Sequence, residues 1–95
     1  MADAPASLRL DKFLWFARIV KTRGQAQTMA EEGRLRLNGR VVDKAHAIVR
    51  LGDILGFVRH GDVRVLRIEA LPVRRGPAPE ARALYSELTS EAGQA

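Results

Sequence analysis

Residues 22–42 read TRGQAQTMAEEGRLRLNGRVV, and within them the apolar pattern changes from a helical period to that of a strand. Thr22 has the oxygen an N-cap needs, and Gln25 three positions later completes a capping box. Ala26, Met29 and Ala30 then recur at helical spacing and form a narrow apolar face. Gly33, after Glu31 and Glu32, suits the left-handed residue that closes a helix. Beyond it Leu35 and Leu37 alternate with Arg34 and Arg36, which predicts a strand with leucines inward and arginines outward. Asn38-Gly39 predicts a type I′ hairpin turn, because both residues tolerate positive φ. A helix delivered directly into a tight hairpin predicts an α+β fold.

Upstream, Leu10, Phe13, Leu14 and Ala17 lie at i, i+3, i+4 and i+7, one apolar stripe of a first helix. Asp11 near its start and Arg18 near its end suit the helix dipole. Ile19 and Val20 form a short apolar connection, so two helices are expected to fill residues 9–33, with a loose leader over 1–7. Downstream, AIVRLGDIL is a further apolar run with a turn at Gly52-Asp53. A hairpin is expected around His60-Gly61-Asp62, with Val63, Val65 and Ile68 as strand positions. The expected fold is a helix pair packed on a small antiparallel sheet, forming one unit over residues 8–71. Residues 72–95 are read as a linker, a C-terminal helix and a frayed end. Pro79 would take the first position of that helix, and Ala81, Leu84, Tyr85 and Leu88 would make its stripe.

The 95 residues contain no cysteine, which excludes disulfides and thiolate metal sites. No signal-peptide pattern or membrane-length apolar run is present, and cytoplasmic residence is the simplest expectation. The net charge of +5 is unevenly placed: residues 8–60 hold eleven Lys/Arg against five Asp/Glu, and the remainder five against six. That asymmetry points to a polyanion or an acidic surface as partner. His46 and His60 read as turn residues, and Asp11, Asp43, Asp53 and Asp62 as helix-start or turn residues. With no phosphate loop, metal-ligand spacing or nucleophile–base pair, no enzyme, cofactor, metal or small-molecule substrate is expected.

The cations carry more information. Arg9, Lys12, Lys21, Arg23, Arg34, Arg36, Arg40 and Lys44 come from the start of helix one, the inter-helix turn and the first hairpin. Lys21 and Arg23 flank the N-terminus of the second helix, where a cation should cost about 0.3–1 kcal/mol. An anion bound there would reverse that cost, since free N–H groups, the dipole and both side chains would act on it together. Gly24 in that first turn would let a nucleic-acid backbone approach closely. Trp15, off the centre of the first apolar stripe, could stack on a base or pack internally.

The segments RLDK, KTR, GRLRLNG and GDIL together resemble the S-four domain, named after ribosomal small-subunit protein four and also called the αL motif, over residues 8–55. That resemblance implies two helices on a small sheet and binding of structured RNA by the helix–turn–helix edge. Carried over by position, Arg9, Lys12, Lys21, Thr22, Arg23 and Gln27 would form the RNA-facing edge, with Arg40 and Lys44 at its border. LDKFLWFARIVKTR and RRGPAPEARALY further resemble the bacterial heat shock protein 15 family. The implied partner is ribosomal RNA of the large subunit when that subunit still carries nascent-chain tRNA, in aid of ribosome recycling. Members of that family continue into a long basic tail, whereas residues near Ala95 are mildly acidic, so contacts of such a tail are expected to be missing. Three alternatives stand beside this reading: a DNA-binding helix-turn-helix reading bases through Gln25, Gln27 and Thr28, an RNA-targeting module related to pseudouridine synthase domains, and a structural interaction protein. The RRGPAPEA segment points away from the pseudouridine synthase module.

Overall fold

The computed structural model of the chain describes residues 6–88. Its elements are β1 (Leu8–Arg9), α1 (Leu10–Phe16), α2 (Arg23–Glu31), β2 (Leu35–Leu37), β3 (Arg40–Val42), β4 (Ile48–Val49), β5 (Ile54–Arg59), β6 (Asp62–Ile68), α3 (Ala78–Arg82) and β7 (Tyr85–Glu87). The fold is α+β, with helices α1 and α2 packed on an antiparallel five-stranded sheet of order β3-β2-β5-β6-β7. A separate small ladder joins β1 to β4.

The apolar stripes meet in one core. Leu10, Phe13 and Leu14 from α1 and Ala26 and Ala30 from α2 are buried together with Leu35, Leu55, Leu66 and Ile68 from the sheet. Ile19 and Val20, the connection between the helices, are buried as well. On the opposite face of the sheet Arg36 lies beside Val41 and Gly56, as the alternation of β2 requires. Both hairpins close through residues in the left-handed region: Asn38 and Gly39 have φ of 53° and 86°, and His60 and Gly61 have 53° and 81°. The primed turn they form matches the right-handed twist of the strands. Asn38 also ties its turn to the next one, since its Oδ1 accepts from the Ile54 N–H and its Nδ2 donates to Asp53 Oδ1.

Helix α1 begins one residue later than the sequence predicts, because Leu8 and Arg9 pair with Val49 and Ile48. It ends in a Schellman motif: the Ile19 N–H donates to the Leu14 carbonyl at 3.0 Å and the Arg18 N–H to the Trp15 carbonyl at 3.1 Å. The left-handed residue that motif requires is Arg18, with φ 58°. Arg18 is therefore a residue beyond the helix rather than a simple dipole partner, and its Nε donates to the Gly76 carbonyl at 2.7 Å.

The C-terminal helix is present but short. α3 covers only Ala78–Arg82, with Pro79 at its second position. The spacing that reads as a longer stripe is divided between that turn and an edge strand, since Tyr85, Ser86 and Glu87 pair with Ile68, Arg67 and Leu66. The open edge of β6 offers those residues backbone partners that one more helical turn would forgo. Glu87 fixes the strand through a two-pronged contact from Arg64, at 2.8 and 3.0 Å, which holds the Arg64 pKa above its ordinary value. The expected leader lies largely, and the expected frayed end over 90–95 entirely, outside the described residues.

Candidate nucleic-acid interface

Asp11 organises the edge between α1 and α2. Its carboxylate is fully buried, yet cations from two elements reach it. Arg9 donates to it through Nε at 3.1 Å and Nη2 at 3.0 Å. Arg23, in the first turn of α2, places Nη2 3.7 Å from Oδ2. Gln27, one turn further along α2, donates to the same oxygen at 3.4 Å, and the Lys12 N–H donates to Oδ1 at 2.8 Å. The side chains of Arg9 and Arg23 nevertheless stay 42% and 39% exposed. One buried carboxylate thus holds two guanidinium groups side by side while leaving part of each open to solvent. An arginine held this way is already ordered and has less freedom left to lose on meeting a phosphate.

The two helix N-termini differ in what they can bind. At α1 the Leu10 and Asp11 N–H groups donate to the carbonyls of Ala47 and Ala45, at 2.7 and 3.2 Å. That end is closed by the turn carrying Lys44 and His46. At α2 Thr22 Oγ1 accepts from the Gln25 N–H at 3.0 Å. The Gln25 side chain turns back to accept from the Lys21 N–H at 2.9 Å, one residue before the position usual in a capping box. The Arg23 and Gly24 N–H groups have no protein partner among the described residues. An anion can therefore be received at α2, with Lys21 exposed beside it.

Of the residues singled out from sequence, Arg9, Arg23 and Gln27 converge on Asp11, and Lys12, Lys21 and Thr22 adjoin them along the same edge. Lys44 sits in the turn that closes α1. Arg40 opens β3 opposite Leu37, and no hydrogen bond or ion pair among the described residues joins it to the Asp11 group. Trp15 is half-buried under the Arg75 guanidinium, 5.5 Å from its ring centre, and the Arg75 Nε donates to the Trp15 carbonyl at 3.0 Å. Arg34 pairs with Glu32. Asp11 reads from sequence as an ordinary helix-start residue; nothing local distinguishes a carboxylate whose partners lie two and sixteen positions away. His60, read from sequence as a turn residue, and Arg59, which the sequence reading did not single out, line grooves that reach Lys21 and Thr22. No described residues gather three or more His, Cys, Asp or Glu side chains about a metal position, and no described helix is long and apolar enough to cross a membrane.

Comparison with known proteins agrees with this fold. The S4 domain family model matches residues 8–55. The chain is similar to heat shock protein 15 of Escherichia coli, 41% identical over 88 residues covering 92% of this chain and 65% of the relative, so it spans about two thirds of that protein's length. It is also similar to the RQC P-site tRNA stabilizing factor of Halalkalibacterium halodurans, 34% identical over 84 residues that make up 88% of this chain and 92% of that one. Among solved structures, the trimeric structure of Vibrio cholerae heat shock protein 15 superposes with a TM-score of 0.81 at 38% identity, over 86% of this chain and 82% of that chain. An antiparallel sheet carrying the helix pair, the RLDK and RLRLNG segments and this similarity along nearly the whole chain lead to one assignment: the chain belongs to the S4 domain family, among the relatives of heat shock protein 15 and the RQC P-site tRNA stabilizing factors.

Proposed function

We propose that this protein is a non-enzymatic, cytoplasmic RNA-binding protein of the heat shock protein 15 type. It binds ribosomal RNA of the large subunit when that subunit carries nascent-chain tRNA, and assists recycling of the subunit. The observation that carries this reading is the Asp11 group, in which Arg9, Arg23 and Gln27 are gathered beside the free N–H groups of α2. Phosphates are bound there by Arg9, Lys12, Lys21 and Arg23, and the fixed spacing of the cations selects folded RNA by shape. The similarity to a P-site tRNA stabilizing factor supports a site on the large subunit close to tRNA. DNA as partner is the weaker reading. Two of the side chains that would read bases are already engaged, Gln25 with the Lys21 N–H and Gln27 with Asp11.

Sedimentation with isolated large subunits, with and without peptidyl-tRNA, tests the proposal. The protein is expected to travel with the subunit, more strongly when peptidyl-tRNA is present, and to lose both associations when Lys21 and Arg23 are replaced by Glu. Absence from the subunit fraction at physiological salt, or preference for competing duplex DNA, would overturn it.

A further inference from the structure

The edge just described does not end at α2. A groove of about 530 Å³ runs between α2 and the tip of the β5–β6 hairpin, with Gly24, Gln25 and Thr28 on one wall and Arg59 and His60 on the other. Its apolar lining comes from Met29 and Val58. A second groove, of about 360 Å³, lies on the far side of the Arg59–His60 ridge and includes Lys21 and Arg18. Resting on the RNA-binding reading above, we propose that the first groove receives one unpaired nucleotide of the bound RNA, the Arg59–His60 ridge contacting its base and Lys21 the phosphates that follow.

Shape and chemistry both favour that occupant. The groove lies in the size range of small-ligand sites, and it opens beside the α2 N-terminus, where the basic edge finishes. A nucleobase presents apolar faces and polar rims. Met29 and Val58 suit the faces, and the Thr28 hydroxyl suits the rim, together with the Gln25 Nε2, since only the Oε1 of that amide is engaged by the Lys21 N–H. Unstacked bases in RNA are commonly held on His rings or Arg guanidinium planes, and the ridge offers one of each. The ridge is also stiff, because the primed two-residue turn fixes the backbone of His60 and Gly61 at positive φ. An acidic protein segment would bring the anion for Lys21 but no flat apolar face for Met29 and Val58, whereas a nucleotide brings both.

The test compares two RNA hairpins of equal length, one fully paired and one carrying a single unpaired uridine, bound by the full chain at low salt. The wild type is expected to prefer the bulged hairpin about fivefold or more, the range of a single base stacking on a protein side chain. Arg59→Ala with His60→Ala should abolish that preference while leaving affinity for the paired hairpin within about twofold. A 4-thiouridine at the bulge should crosslink to α2 or to the hairpin tip. Equal binding of both hairpins by the wild type, or a preference that survives in the double variant, overturns the inference and leaves the RNA-binding edge standing. The edge itself has a separate control: Lys21→Glu with Arg23→Glu should lose both hairpins, and if it loses neither, the functional reading fails with the inference. Both alanine substitutions are at the hairpin end, and an unchanged melting curve confirms that the fold is intact.

Discussion

Replacing Asp11 by asparagine separates two explanations of a basic surface. Asparagine keeps the shape and can still accept from the Lys12 N–H, but it removes the charge that gathers Arg9 and Arg23. If the surface worked by net charge alone, this change would raise affinity for RNA. If it works by the placement of guanidinium groups, affinity should fall, by about tenfold for two loosened charge-assisted contacts. Stability should fall too, by about 1–3 kcal/mol, since a buried hydrogen-bonded group loses its best partners. Titration of RNA binding well below the unfolding midpoint decides the sign, and tighter binding would refute the placement argument. Arg18 supplies a second single-residue test. Its left-handed backbone is strained for a residue with a Cβ, and its side chain offsets this by reaching Gly76. Alanine would keep the strain and lose the anchor, whereas glycine would lose both. Arg18→Gly should therefore be more stable than Arg18→Ala by about 1 kcal/mol in urea denaturation.

Among the elements, α2 makes the clearest prediction. A Cβ added at Gly24 would meet only Thr22 Oγ1, at 3.9 Å, an ordinary contact. Alanine should then stabilise the helix by up to about 1 kcal/mol. The added methyl would stand beside the free N–H groups, so RNA affinity should drop severalfold as stability rises. A Gly24→Ala protein that is more stable and binds equally well would show that the glycine does not serve close approach. The segment from α2 to β3 was also the most legible, and for the same local reasons. Thr22, Gly33 and Asn38-Gly39 each set a boundary through their own backbone chemistry, and the structure places the cap at Thr22 and left-handed backbone at Gly33, Asn38 and Gly39. Elements decided by distant partners were not legible in this way. Leu8 and Arg9 become a strand because Ile48 and Val49 lie beside them, and Tyr85–Glu87 leaves the helical pattern to cover the edge of β6. The Schellman end of α1 was hidden because arginine occupies the position where glycine is the signal. In the candidate site the cations could be enumerated from sequence. Their common anchor could not, because Asp11 meets Arg9, Arg23 and Gln27 only after α1 and α2 have packed.

At the scale of the whole molecule, the question is whether the excess charge acts as a diffuse field or through the helix edge. All of the net charge of +5 is carried by the excess of Lys and Arg over Asp and Glu in residues 8–60. Contacts from Arg9, Lys12, Lys21 and Arg23 to about four phosphates would release a matching number of counterions. The logarithm of the binding constant should then fall with a slope of about −3 to −4 per log unit of salt. Slope alone does not locate the contacts, so paired substitutions are needed. Lys12→Gln with Lys21→Gln removes two cations from the edge without disturbing the ion pairs of Asp11, and should flatten the slope by about 2. Arg67→Gln with Arg82→Gln removes the same charge from the sheet and α3, where acidic residues balance basic ones, and should leave the slope unchanged. A field that depended only on net charge would treat the two pairs alike. Equal flattening by both, or more by the arginine pair, would therefore remove the edge as the binding surface, and flattening by the lysine pair alone would place the phosphates along α1 and α2.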